Sequence, residues 1–140
     1  MFKSILIPID LNELGVAKPA LAAATELAPE DARLRLLTVE AVLPASFMEF
    51  VPADFDRKQQ ERALHMLEEI GTTLSLPKER ISQNVRTGVI YREILEEADD
   101  WGADLIVIGS HRPAMSTYLL GSNAKTVVRH AKCSVLVIRS

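Results

Sequence analysis

A single cysteine, Cys133, stands in a chain of 140 residues. That excludes an intramolecular disulfide and any zinc site built from cysteine pairs, and it fits a reducing compartment. No partner that would lower its pKa is visible in the sequence, so it reads as a buried, inert thiol. Long apolar runs are missing as well. The first one ends at Asp10, too short for a signal-peptide core, and nothing approaches the roughly 18–20 residues of a membrane span. A soluble, cytoplasmic chain with no membrane partner is the expectation. The six glycines (Gly15, Gly71, Gly88, Gly102, Gly109 and Gly121) fit neither G-x-x-x-x-G-K-[ST] nor G-x-G-x-x-G, which excludes a P-loop and a Rossmann dinucleotide fingerprint.

Acidic residues are absent from the last quarter. After Asp104 there is no Asp or Glu, while Arg112, Lys125, Arg129, Lys132 and Arg139 all follow it; the other 11 of the 16 Lys and Arg and all 19 Asp and Glu come earlier or at that position. The net charge of −3 gives no global reason to expect nucleic acid as a partner. A basic quarter on an acidic body points instead to a small anion. The remaining composition, 48% hydrophobic and 25% charged, is that of an ordinary globular chain, and with no internal repeat or linker-like stretch one domain over residues 1–140 is expected.

Apolar runs alternate with helical patterns throughout. Residues 5–9 read as a strand, followed by an Ala-rich helix over 17–28 with Pro19 expected in its first turn. A second strand over 34–39 leads into a loop over 42–52, where Phe47, Met48 and Phe50 suggest subunit contact or ligand cover. Ala63, Leu67, Ile70 and Leu74 mark one face of a helix that stops near Pro77. Residues 81–86 alternate as a half-exposed strand does, and Ile90, Ile94, Leu95, Ala98 and Trp101 follow at helical spacing, with Trp101 read as core. The acidic run Glu93, Glu96, Glu97, Asp99 and Asp100 reads as a solvated face. Residues 105–108 are wholly apolar, as a strand covered on both faces is. Ser122 caps a last helix with Ala124, Val127, Val128 and Ala131 on its apolar face, and residues 135–138 form a fifth strand.

Five such units predict an α/β fold: a mostly parallel sheet, right-handed crossovers and helices on both faces. Ligands then sit outside the carboxyl ends of the strands, where strand order reverses. That places the chemistry at residues 8–12, 39–41 and 109–122. The last of these leaves a buried strand, makes a polar loop and ends on Gly121-Ser122 at a helix start. Free backbone N–H groups and partial positive charge there suit a phosphate, and glycine lets it approach closely. Ser110 and Ser122 add hydroxyl donors, His111 adds charge or a hydrogen bond, and Arg112 adds a bidentate grip.

Lys3-Ser-Ile-Leu-Ile-Pro-Ile-Asp10, Leu36-Leu-Thr-Val39, Ala103-Asp-Leu-Ile-Val-Ile-Gly-Ser110, and Leu120-Gly-Ser122 through Arg129-His-Ala131 to Val135-Leu-Val-Ile-Arg139 together resemble the universal stress protein family over essentially the whole chain. Ser110-His-Arg-Pro113 followed by Thr117-Tyr-Leu-Leu-Gly-Ser-Asn-Ala124 resembles its nucleotide-binding F/G-type subgroup. The resemblance implies an open five-stranded sheet of order 3-2-1-4-5, Rossmann-like in three layers, with ATP or AMP across the ends of strands one, two and four. It implies Asp10 at the ribose, Pro8 and Ile9 at the nucleoside, backbone groups of Val39 at adenine, and Gly109, Gly121, Ser122 and Asn123 at the phosphates, with Mg accompanying ATP. The chain departs from the family's G-x2-G-x9-G-[ST] signature: Arg112 stands at the second glycine, and Gly121 comes one residue early. Arg112 keeps the backbone there farther from a phosphate than glycine would, which leaves ATP against AMP open.

The expected role is stress response by binding. Asp10 and His111 are the only general-base candidates, so any ATP hydrolysis should be slow; the alternative is a nucleotide-independent interaction module of the same fold. A phosphoacceptor receiver domain is excluded, since strand one ends in a lone acid, strand three in Thr87-Gly88 and strand five in Arg139-Ser140. A nucleotidyl-transfer enzyme is excluded because no histidine precedes His65. His111 and His130 lack companions at metal-ligand spacing, so no metal site of side chains is expected. The fifth strand is an apolar edge, which predicts a homodimer through residues 134–139, with further pairing into a tetramer open.

Overall fold

The computed structural model describes residues 1–42, 44–110 and 122–139. Their elements run β1 (Ser4–Pro8), α1 (Leu14–Leu27), β2 (Arg33–Glu40), α2 (Phe55–Thr72), β3 (Ile81–Thr87), α3 (Ile90–Trp101), β4 (Leu105–Ser110), α4 (Ser122–His130) and β5 (Ser134–Arg139). Short 3-10 turns occupy Ala45–Phe50 and Lys78–Arg80, so the loop expected over 42–52 contains a helical turn. All strands pair in parallel, in the order β3-β2-β1-β4-β5. No helix among the described residues is long and apolar enough to cross a membrane.

Strand alternation divides the apolar side chains between two layers. Ile5, Ile7, Leu34, Leu36 and Val107 pack against Ala17, Ala20, Leu21 and Ala24 of α1 and Leu67 of α2. Leu6, Leu37, Ile106 and Ile108 face the other way, against Ile94 and Ala98 of α3 and Ala124 and Val127 of α4. Central strands sandwiched in this way have no solvent face, which is why they read as unbroken apolar runs. Asp104 sets the register between β1 and β4. Its carboxylate accepts the N–H groups of Lys3 and Ser4 at 2.8 and 3.0 Å, and its own N–H donates to the Ser4 carbonyl at 2.9 Å.

Two local expectations are overturned by packing. α1 starts at Leu14, earlier than its alanine run, so Pro19 lies in the second turn rather than the first. The missing N–H forfeits a hydrogen bond to the Gly15 carbonyl, yet the helix continues because its alanine face is buried on β1 and β4. Gly109 shows how close that packing is. A Cβ on it would lie 2.6 Å from the Val16 carbonyl oxygen and 2.8 Å from Val16 Cγ1.

The second correction concerns the face that α3 turns to β3. β3 is half-exposed along Ile81–Arg86, as expected, but the acidic run of α3 is not a uniformly solvated face. Glu97 is 2% exposed. Its carboxylate accepts hydrogen bonds from Arg86 (2.8 Å), Asn84 (2.9 Å) and Arg35 (3.0 Å). Arg86 also reaches Glu93 at 2.9 Å and the more exposed Glu96 at 3.1 Å. Trp101 packs at the edge of the α3–α4 core as expected, and the Arg33 and Arg35 guanidinium carbons also lie 4.6 and 5.0 Å from its ring centroid. Charge rather than apolar area therefore docks α3 onto the edge strand.

Burial alone would raise the Glu97 carboxyl pKa, but the hydrogen bonds from Arg86, Arg35 and Asn84 outweigh it and hold it below its ordinary 4.5. A depressed carboxyl contributes stability that is whole above the ordinary value and lost as pH falls through the lowered one. Glu97→Ala should cost about 3 kcal/mol or more in urea denaturation, because it strands the guanidinium groups around it. Glu97→Gln should show a shallower loss of stability below pH 4.5 than the wild-type chain. Gly109→Ala should cost roughly 1–3 kcal/mol in the same measurement, since the new methyl displaces the start of α1 from β4.

Candidate functional site

The carboxyl ends of β1, β2 and β4 open onto a cleft of about 590 Å³. It arises because the chain leaves β1 for α1 on one face of the sheet and leaves β4 toward α4 on the other. Glu13 just before α1 and the first residues of α3 and α4, Ile90 and Ser122, contribute to its walls.

Asp10 follows directly after β1. Its Oδ1 accepts the Asn12 N–H at 2.9 Å and its carbonyl accepts the Glu13 N–H at 2.9 Å, a turn that launches α1 and leaves the carboxylate exposed at the cleft. The preceding residue is tied to β2: Ile9 donates to the Leu37 carbonyl at 2.7 Å, and Thr38 Oγ1 donates to the Ile9 carbonyl at 2.8 Å. Leu37 thus directs its backbone groups toward β1, while the Glu40 carbonyl accepts the Gly88 N–H at 2.9 Å on the β3 side. Backbone groups alternate between the two edges along a strand, so those of Val39 point to the β1 edge, beyond the point where β1 has ended.

Of the residues singled out in the sequence, Pro8, Ile9, Asp10, Val39, Gly109, Ser122 and Asn123 all line this cleft. Ser110 does not; it lies within β4 at 3% exposure. His111, Arg112 and Gly121 lie outside the described residues. Ser122 and Asn123 begin α4, whose first backbone N–H groups lack intrahelical acceptors and carry the positive end of the helix dipole.

The sequence reading missed one whole wall. Gln59, Arg62, Ala63 and Met66 of α2 line the cleft, although only Ala63 stood out, and then as core. Their spacing is that of one helical face, a signal hidden by the apolar stripe beside it. Glu40, at the end of β2, also lines the cleft; burial raises its pKa, the Gln59 amide draws it back and Asp56 raises it further. Cys133 is half-buried rather than buried, and burial, aided by the charges of Asp99 and Asp104, lifts its thiol above the ordinary range. Such a thiol is a poor nucleophile at neutral pH. His65 pairs with Glu69 at 3.0 Å on the surface, and His130 lies in the last turn of α4 beside Arg129. Among the described residues, no three of His, Cys, Asp and Glu come together to hold a metal ion.

Known proteins share this sequence pattern and fold. The Universal stress protein G of Shigella flexneri is 37% identical over 99% of this chain and all of its own length. Among solved structures, the universal stress protein UspA from Lactobacillus plantarum superposes with a TM-score of 0.74 at 25% identity, covering 98% of this chain and 97% of that one. An Arabidopsis thaliana family member with AMP bound has a TM-score of 0.65 at 18% identity, covering 98% and 91%, and a universal stress protein in complex with cAMP has 0.67 at 20%, covering 99% and 97%. The sequence profile of the universal stress protein family matches residues 1–139. With that match running the length of the parallel sheet, this chain belongs to the universal stress protein family.

Proposed function

We propose that the cleft binds an adenine nucleotide, ATP or AMP, and that the protein acts in the cytoplasmic stress response chiefly by binding it, with at most slow ATP hydrolysis. The observation that carries this reading is the backbone of Val39, whose N–H and C=O face the cleft past the end of β1. Adenine presents a ring nitrogen that accepts and an exocyclic amine that donates, which matches one N–H and one C=O side by side. Guanine presents the reverse pattern. Asp10 then accepts a ribose hydroxyl, with Pro8 and Ile9 against the nucleoside. The first N–H groups of α4, with Ser122 and Asn123, take the phosphates. Gly109, Ser110, His111, Arg112 and Gly121 complete that end, and Mg²⁺ accompanies ATP when the triphosphate is bound. The AMP and cAMP held by two structural neighbours support the ligand class.

The same reading includes self-association. β5 pairs with β4 along one edge, and Val135, Leu136, Val137 and Ile138 are each half-buried within the chain. A second copy joined through residues 134–139 would satisfy the backbone groups of the other edge.

Mass spectrometry of small molecules released from the purified protein should find an adenine nucleotide, and calorimetry should find adenine nucleotides preferred over guanine ones. Asp10→Ala should weaken AMP binding about tenfold, the worth of one hydrogen bond to a charged group. No bound adenine nucleotide, together with unchanged properties in Ser122→Ala and Gly121→Val, would favour an interaction module instead. Light scattering at micromolar concentration should give a dimer mass, which a charged residue at Leu136 should reduce to a monomer's.

A further inference from the structure

Met66 is an apolar side chain of α2 that the core does not use. Leu67 and Ile70 of the same helix pack into the layer shared with α1, whereas Met66 is half-buried, joins neither apolar layer among the described residues, and lines the cleft. Ile90, at the start of α3, stands in the same position on the other side of the sheet: it is 37% exposed, outside both layers, and lines the cleft. Two apolar side chains thus meet the cleft from opposite faces.

Both helices pack against β2 and β3, and both side chains come to the end of β2. A Cβ on Gly71 would lie 3.9 Å from Leu36 Cδ1, so that point of α2 sits over Leu36. α2 runs antiparallel to the parallel strands it connects. From Gly71 back to Met66 along the helix, and from Leu36 on to Thr38 along the strand, the chain climbs about 7 Å in each case, which sets Met66 level with Thr38 and beside Val39. Ile90 follows the turn after β3, where the Gly88 N–H donates to the Glu40 carbonyl at 2.9 Å, and so reaches the same end.

Hydrogen bonds from the edge of a strand run close to the plane of its sheet, so a flat base paired to the Val39 N–H and C=O lies in that plane and turns one face to each helical layer. We propose that Met66 is a specificity-determining residue of this cleft, packing its thioether on one face of the adenine ring while Ile90 closes on the other. This rests on the nucleotide reading above. An unbranched, polarisable thioether adapts to a ring face and gains from contact with it. Val39 reads the polar edge of the base, and α2 and α3 hold its apolar faces.

Two measurements on the full chain test this. Calorimetry should find AMP bound about tenfold more weakly by Met66→Ala, and close to wild type by Met66→Leu, which keeps the apolar volume. Because Met66 lies outside the packed layers, both variants should melt with the wild type. The second measurement needs no variant: hydrogen peroxide oxidises an accessible thioether to the sulfoxide and is itself reduced to water, and peptide mass spectrometry reads the rate at each methionine. Saturating AMP should slow oxidation of Met66 severalfold while Met1, 99% exposed, oxidises unchanged. Ribose 5-phosphate, which lacks the base, should give Met66 no protection. Equal AMP affinity in the wild-type and Ala proteins overturns this inference alone, as does Met66 oxidation that bound AMP leaves unchanged or that ribose 5-phosphate slows equally. Wild-type protein that binds neither AMP nor ATP overturns the nucleotide reading and this inference with it.

Discussion

β1 is paired along both edges and shielded on both faces, and the point where it stops governs the functional end of the molecule. Ile5, Leu6 and Ile7 are fully buried, and Leu6 sits between Arg35 of β2 and Ile106 of β4. A strand so enclosed can leave the sheet only past its own end. It does so toward α1, while the chain leaving β4 reaches α4 on the opposite face. β2 runs on to Glu40 after β1 has ended opposite Leu37. The backbone of Val39 is thereby left facing open space. The proposed adenine contact is thus a consequence of one strand outrunning its neighbour.

The same frame explains why Gly109 is a glycine without reference to any ligand. Its Cα lies where α1 crosses β4, and a methyl there would strike the Val16 carbonyl. Close packing of α1 draws Val16 to the cleft wall beside Gly109. A residue that reads as a phosphate glycine therefore also seals the sheet against its helix. The two roles need the same absence of a side chain, and stability measurements respond to one while nucleotide titration responds to the other.

Away from the cleft, the edge strand β3 meets α3 through Arg86 and Glu97 rather than through aliphatic contacts. An arginine shared among several carboxylates demands a particular rotation of the helix, because a shift of one residue would bury an unpaired charge. That fixes the helix whose first two turns carry Ile90 and Ile94 to the cleft. Rigidity at the back of α3 and a defined wall at its front come from one set of charges.

Helix and strand periods, the parallel sheet and the residues at the ends of β1, β2 and β4 were legible in the sequence, because alternation and short motifs are properties of neighbouring residues. Pro19 was misplaced because helix burial outweighed a local preference. The acidic face of α3 was read as solvated because periodicity says which residues share a face, not what that face meets. Met66 was invisible for a related reason: α2 joins the cleft only through strand order, which carries it beside residues some 50 positions earlier in the chain. The sequence by itself determined the elements and the switch-point loops. Only the tertiary structure decided which charged groups came together, since that depends on contacts between segments whose local patterns are silent about one another.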